Sequence, residues 1–497
     1  MSIQATVVRL LLPWFLLQTS AAIASGGVDR STFDAFFIDE TMRVDFHHGG
    51  NSEKEDVSLD CVYRQGTWAG SRTNLLDPFA VGRYVAEVRD ASSGKTLFTK
   101  RFDSYFGEYR TTTAAGKGVS RVYHESILTP FPREKVRLSI KVRTKGKDHK
   151  TLLEVEIDPQ AYTISREPPI AGVKTFNLHQ GGDPHASVDV AIVAEGYTSD
   201  QEPKLKADLE RFARSFLSQE PFLSAKAKFN LRGVWKASQE SGCDEPSRGV
   251  WRNTALGVGF DALGSERYLL TEDNRALREI AASVPYDALY IMVNSPRYGG
   301  GGIYNLYCTF TSDNQWHDYV FLHEFGHTFA GLADEYYTSS VAYNDFYAKG
   351  VEPDEPNITA LLDPSKIKWS DLVTPETPLP TPWEKLEFDE KDIAYQKVRE
   401  LINGAIAAAM RSGAPAKEVE KLKEDSERLS REHAEKMNAE LSRSKLVGKV
   451  GAFEGAGYAA KGLYRSSLDC IMFGKGTKPF CPVCRQAIGK VIEYYGE

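Results

Sequence analysis

The sequence predicts an α+β protein, with an N-terminal antiparallel β-sandwich followed by an α/β domain that carries a helical-hairpin insert. Three patterns predict it. Short apolar and polar stretches alternate over residues 31–165, buried-strand and helix periods interleave over 185–497, and a charged, helix-favouring block fills about 385–445.

In the first region, residues 83–88 and 135–142 alternate as half-buried strands do, and Ser92-Ser93-Gly94-Lys95 and Gly116-Lys117-Gly118 supply turns. The domain is read as structural or positioning at least as readily as ligand-binding. From Val188 the period changes. Residues 188–194 read as a buried strand, 201–218 as an amphipathic helix, and 229–237, 288–294 and 304–311 as further strands. Residues 303–310 are the expected sheet edge, where an extended peptide adds through backbone hydrogen bonds. The four glycines at 299–302 lack the lysine and following helix of a phosphate loop. A stiff proline-rich connector, 374–383, leads to the block at about 385–445, which Ser412-Gly413-Ala414-Pro415 breaks into two helices with solvated charged faces.

With 41% hydrophobic and 26% charged residues in 497, the chain has an ordinary globular composition, enough for a core in two or three domains. A net charge of -7 gives no support for a nucleic-acid or anionic-membrane surface, and Arg143-Thr144-Lys145-Gly146-Lys147 reads as a solvated loop. Residues 1–24 read as a secretory signal: Arg9, the apolar run LLLPWFLLQTSAAIA, and Ala22-Ile23-Ala24 as a cleavage site. The run is too short for a membrane anchor and holds Pro13 and Gln18. No cysteine follows the small residues, which argues against a lipid anchor. The mature chain is expected in the periplasm or secreted, with no membrane span.

His323-Glu324-Phe325-Gly326-His327 carries the chemistry. On a helix, histidines four apart project from one face, so both imidazoles reach one metal while Glu324 sits one step round as a general base. The preceding Trp316-His317-Asp318-Tyr319-Val320-Phe321-Leu322 buries a helical face, and Gly331 stops the helix. Catalytic zinc takes three protein ligands. The metzincin signature finds the third, a histidine, three residues after a glycine turn. Here one extra residue precedes Gly331 and the equivalent offset holds Asp334, so Asp334 is the expected third ligand, with Glu335 the competing carboxylate. Downstream, in Ser467-Leu468-Asp469-Cys470-Ile471-Met472-Phe473-Gly474, Met472 is the candidate for the apolar floor that a methionine turn forms under such a site. These features predict a zincin or metzincin-like catalytic domain with one Zn²⁺.

HEFGHTFAGLADEYY, the upstream NSPRYGGGGIYN and the late run GAFEGAGYAAKGLYRSSLDCIMFGKGTKPFCPVC together resemble the immunoglobulin A peptidase family of secreted bacterial zinc metallopeptidases. The resemblance covers roughly residues 185–495 as catalytic domain, and the β-rich part before it resembles that family's N-terminal domain. It implies a secreted zinc endopeptidase acting on a protein or peptide, and no particular substrate. In that reading His323, His327 and Asp334 hold the metal, and Glu324 takes a proton from the attacking water and returns it to the leaving amine. Tyr336, Tyr458 and Tyr464 are candidates for stabilising the oxyanion, and Glu454 for contacting substrate or buttressing the fold. The rival is a non-catalytic surface module, binding protein or glycan, with a structural zinc. It predicts a damaged catalytic pair, whereas Glu324 is intact. An aminopeptidase would need an acidic anchor for a free amine.

Cys61, Cys243, Cys308, Cys470, Cys481 and Cys484 are even in number, and export favours disulfides. The expected pairings join Cys470 to the Cys481-Pro482-Val483-Cys484 segment and Cys243 to Cys308. A structural metal on Cys470, Cys481 and Cys484 is the alternative, without an obvious fourth ligand.

Overall fold

The computed structural model describes residues 30–144, 148–338, 347–348 and 350–496; the expected signal segment 1–24 lies outside the described residues. The first region runs α1 (Arg30–Phe36), β1 (Phe37–Gly50), β2 (Glu55–Gln65), β3 (Tyr84–Asp90), β4 (Thr96–Phe102), the short helices α2 (Tyr105–Tyr109) and α3 (Thr113–Gly116), β5 (Arg121–Pro132), β6 (Val136–Arg143) and β7 (His149–Ile157). Its strands form two antiparallel sheets, ordered β2-β1-β5 and β4-β3-β6-β7. Alternate side chains of both, among them Val44 and Phe46 of β1, Val88 of β3 and Ile140 of β6, close one shared core. Within it His48 lies buried between Glu125 (2.8 Å) and Glu55 (3.0 Å), and Glu55 also accepts from the Tyr84 hydroxyl (2.7 Å) and Arg110 (2.5 Å).

The second region is built on a six-stranded sheet. It comprises β8 (Val173–Gln180), β9 (Val188–Glu195), α4 (Glu202–Ser218), β10 (Phe229–Lys236), α5 (Asn274–Ala281), β11 (Ala288–Val293), β12 (Gly300–Ile303), β13 (Tyr307–Thr311) and α6 (His317–Ala330). The strand order is β12-β13-β11-β9-β10-β8, with the four inner strands parallel and the two edge strands antiparallel to their neighbours. Every residue of β9 is buried, as expected for a parallel strand covered on both faces. Val190, Ile192 and Ala194 face the cluster under α4 and α6, and Ala191 and Val193 face the one under α5. Leu205, Leu209, Phe212 and Phe216 make the apolar stripe that seats α4.

The sheet edge differs from the sequence expectation. Of the expected edge, 303–310, Ile303 ends β12 and Tyr307 to Phe310 lie in β13, which pairs on both sides; the edge is the glycine strand β12. Helix α6 is the reason. A Cβ at Gly300 would lie 2.5 Å from a Val320 methyl, and one at Gly302 would lie 2.6 Å from the Glu324 carbonyl oxygen and 3.0 Å from His327 Cβ. Glycine alone lets the strand run this close to the helix. The outer side of β12 is already engaged at Gly300, whose N–H donates to the Arg267 carbonyl and whose carbonyl accepts from Leu269, both at 3.2 Å.

The last region contributes β14 (Ile358–Thr359), α7 (Lys385–Arg411), α8 (Ala416–Leu441), β15 (Val450–Ala456), β16 (Ala459–Ser467) and α9 (Pro482–Tyr495). β14, β16 and β15 form a small antiparallel sheet. Helices α7 and α8 meet at the predicted break, yet their charges are not all solvated. Asp389 accepts from the Tyr337 hydroxyl (2.6 Å), buried Asp392 of α7 pairs with His433 of α8 (2.6 Å), and contacts from Asn403 to Glu266 (2.7 Å) and from Trp316 Nε1 to Ser430 (3.2 Å) dock one face of the hairpin against the second region. Among the described residues, no helix is long and apolar enough to cross a membrane.

Candidate metal centre

Aromatic stacking fixes α6 on the sheet: Phe321 and Phe325 lie 4.5 and 5.1 Å from Tyr290 of β11 with stacked rings. The helix ends at Gly331, whose left-handed φ of 58° reverses the chain. The Gly331 N–H donates to the His327 carbonyl (3.0 Å) and the Leu332 N–H to the Gly326 carbonyl (3.1 Å), a closed helix terminus that sends residues 332–335 back past the histidines.

That return sets the imidazoles. His327 Nδ1–H donates to the Leu332 carbonyl (2.6 Å) and His323 Nδ1–H to the Ile471 carbonyl (3.0 Å), which leaves a lone pair on each Nε2. The two Nε2 atoms lie 3.1 Å apart, and Asp334 Oδ1 lies 2.9 Å from one and 3.2 Å from the other. Ligands about 2.0–2.1 Å from a tetrahedral zinc are separated by roughly 3.3 Å. Oδ1 is buried and accepts no hydrogen bond, while Oδ2 takes the Tyr458 hydroxyl. In neutral imidazoles whose Nδ1–H groups donate in this way, both Nε2 lone pairs face Oδ1, and a divalent cation fits that arrangement. Burial alone would raise the Asp334 carboxyl, but with no cation bound protonated His327 and His323 hold it well below the usual range, a positive charge that a cation would replace.

Glu324 faces the same cavity, of about 140 Å³, which Arg267, Tyr298, Tyr319 and Tyr336 also line. Burial pushes its carboxyl above the ordinary range against the pull of both histidines. The Tyr336 ring lies nearly parallel to that of His323 at 6.2 Å, and its hydroxyl accepts from Arg267 Nη2 (3.0 Å). Met472 is fully buried, and its sulfur would lie 2.9 Å from a Cβ placed on Gly326, so it packs under the turn between the histidines.

Other candidates fall elsewhere. Tyr464 and Glu454 pair across β15 and β16 outside the cavity lining, and Glu454 accepts from the Gly462 N–H at 3.2 Å. Glu335 turns away from the histidines, accepting from Asn357 (3.0 Å). The expected disulfides are not formed: all six cysteines are free thiols. Cys243 and Cys308 pack in clusters on opposite faces of the six-stranded sheet, and Cys470 Sγ is 3.9 Å from Cys484 Sγ. Tyr298 falls in the NSPRYGGGGIYN segment and Tyr319 in the run before the first histidine, but neither segment singles it out as a site residue, and Arg267 belongs to no motif. Arg267 reaches the site because its backbone pairs with Gly300, and no local sequence signal marks that pairing.

Residues 176–492 match the family model described as IgA Peptidase M64, and residues 32–154 match that described as Peptidase M64 N-terminus. No curated protein matches the chain.

Proposed function

The chain belongs to the IgA peptidase M64 family, and from that premise we propose that it is a secreted zinc-dependent endopeptidase with His323, His327 and Asp334 as metal ligands and Glu324 as general base. The observation that carries the assignment is the mutual approach of His323 Nε2, His327 Nε2 and Asp334 Oδ1 beside the Glu324 carboxylate. Two imidazoles and a carboxylate suit zinc. When bound, the metal supplies Lewis acidity, which acidifies a water and polarises the scissile carbonyl.

The chain's own residues do the rest. Glu324 takes the water's proton and delivers it to the departing amine; a carboxyl lifted by burial is suited to do both. Burial also holds the Tyr336 phenol well above its ordinary pKa, so it stays protonated, and with Arg267 at its oxygen it is placed to donate to the developing oxyanion. In this reading residues 31–165 form a β-sandwich beside a zincin-type domain over 185–497. The carboxylates Asp103, Glu108 and Glu355 also line the cavity and favour a second reading, an aminopeptidase that anchors a free amine.

Cleavage of a peptide library with free and acetylated N-termini tests both. Endoproteolysis predicts equal cutting of acetylated peptides, and loss of cutting on acetylation reassigns the enzyme as an aminopeptidase. Glu324→Gln should keep the metal and lose turnover by several orders of magnitude; near-native turnover would remove Glu324 from its role.

A further inference from the structure

Behind the site just described lies a second cluster that it does not use. Cys470, Cys481, Cys484 and Glu335 are all buried, and one ligand atom from each lies within 4.8 Å of every other. Cys484 Sγ is 3.9 Å from Cys470 Sγ and 3.4 Å from Glu335 Oε1. Zinc bonds of about 2.3 Å to sulfur and 2.0–2.2 Å to oxygen place tetrahedral ligands roughly 3.8 Å apart for two sulfurs and 3.5 Å for sulfur and oxygen. A disulfide needs its sulfurs at about 2.0 Å. The separations are those of a cage around an ion.

The surroundings fit the same ion. Cys481 caps the N-terminus of α9, where its sulfur accepts from the Cys484 N–H (3.4 Å), and Ser466 Oγ lies 3.2 Å from it. The Cys481 N–H in turn donates to Cys470 Sγ at 3.2 Å. Donors aimed at sulfur and the positive end of a helix both favour thiolates. Glu335 Oε2 is buried and accepts no hydrogen bond, a costly state for a carboxylate without a cation. Arg465, buried close enough to act electrostatically on Glu335, offsets the excess negative charge of three thiolates and a carboxylate on one divalent ion.

We propose that Cys470, Cys481, Cys484 and Glu335 form a structural zinc site, closed by four protein ligands and separate from the histidine site. The three thiols release their protons on binding. The site joins the two segments that shape the first centre. Glu335 follows Asp334, Cys470 precedes Met472 by two residues, and the Glu335 N–H already donates to the Met472 carbonyl at 2.8 Å. The second ion therefore clamps the returning chain to the methionine turn, while its own ligands leave no position open for water or substrate.

Elemental analysis of full-length protein purified without chelators should give two zinc ions per chain, and His323→Ala/His327→Ala should retain one. That count does not depend on whether the first centre is catalytic. Cobalt(II) loaded into the same double variant should show an intense thiolate-to-metal charge-transfer band in the near ultraviolet, and Cys470→Ser/Cys484→Ser should abolish it. No zinc in the histidine variant, a cobalt spectrum without the thiolate band, or non-reducing peptide mass spectrometry showing a disulfide among the three cysteines would each overturn the proposal.

Discussion

Tyr458 donates its hydroxyl to Oδ2 of Asp334, which turns Oδ1 toward the two histidines. The tyrosine reaches that carboxylate from the two-residue turn between β15 and β16, where Gly457 and Tyr458 both hold left-handed backbone, φ 56° and 64°. A tyrosine in this conformation is disfavoured by about 1–2 kcal/mol, a cost carried where the side chain has work to do. Tyr458→Phe removes only the hydroxyl. It should weaken zinc binding at the histidine site by about 10- to 100-fold, the usual effect of losing a hydrogen bond that orients a ligand. Zinc retention against a competing chelator measures it, and unchanged retention would separate Tyr458 from the metal.

Tyr336→Phe should leave zinc content and KM near native and lower kcat by roughly 100-fold, because the phenol is assigned to a charge that develops only in the transition state. A rise in KM with unchanged kcat would instead make Tyr336 a ground-state contact.

Gly302→Ala puts a methyl 2.6 Å from the Glu324 carbonyl and 3.0 Å from His327 Cβ. Overpacking of this kind costs about 1–3 kcal/mol. Calorimetry should show a lower Tm, and kcat should fall as well, since the displaced helical turn carries the base and a ligand. Gly94→Ala serves as the control: Gly94 has a positive φ, unlike Gly302, and open space around it, so the change should cost stability without touching kcat.

The buried His48 cluster predicts a pH profile for the N-terminal region. Burial pushes His48 down, but Glu125 and then Glu55 outweigh it and raise it from 6.5 to about 9. Its contribution is therefore complete below pH 6.5 and is lost as the pH rises toward 9. Burial likewise pushes Glu55 up, yet His48, Tyr84 and Arg110 bring it from 4.5 to about 2, so its contribution is lost as the pH falls from 4.5 toward 2. The Tm of this region should be highest between those limits. His48→Gln should lower the plateau and flatten the alkaline limb, and a wild-type Tm constant from pH 6.5 to 9 would contradict the assignment.

The readable parts of the sequence were those in which neighbours in space are neighbours along the chain. Histidines four apart on a helix, the turn at Gly331 and the offset to Asp334 are local, and so are the strand periods of β3, β6 and β9. The break between α7 and α8 was equally plain, at a Gly and a Pro. The sheet edge lies where propensity signals a loop: Gly300, Gly301 and Gly302 form β12 because they run close against α6. Arg267 was invisible because it is delivered by a single backbone pairing with Gly300. Cysteine spacing cannot separate a disulfide pair from the cage proposed above. The fourth member, Glu335, stood in the sequence as a rival for Asp334's place.

Asp334 and Glu335 are consecutive, and each belongs to a different cluster of side chains that could hold a metal ion. One stretch of backbone therefore answers to two masters, and the tolerance of this stretch to change is lopsided. Replacing either carboxylate injures a single centre, whereas adding or deleting one residue between Gly331 and Glu335 shifts the register and denies both centres their oxygen at once. Natural or engineered variants of this chain should accept exchanges of identity here far more readily than any change of length.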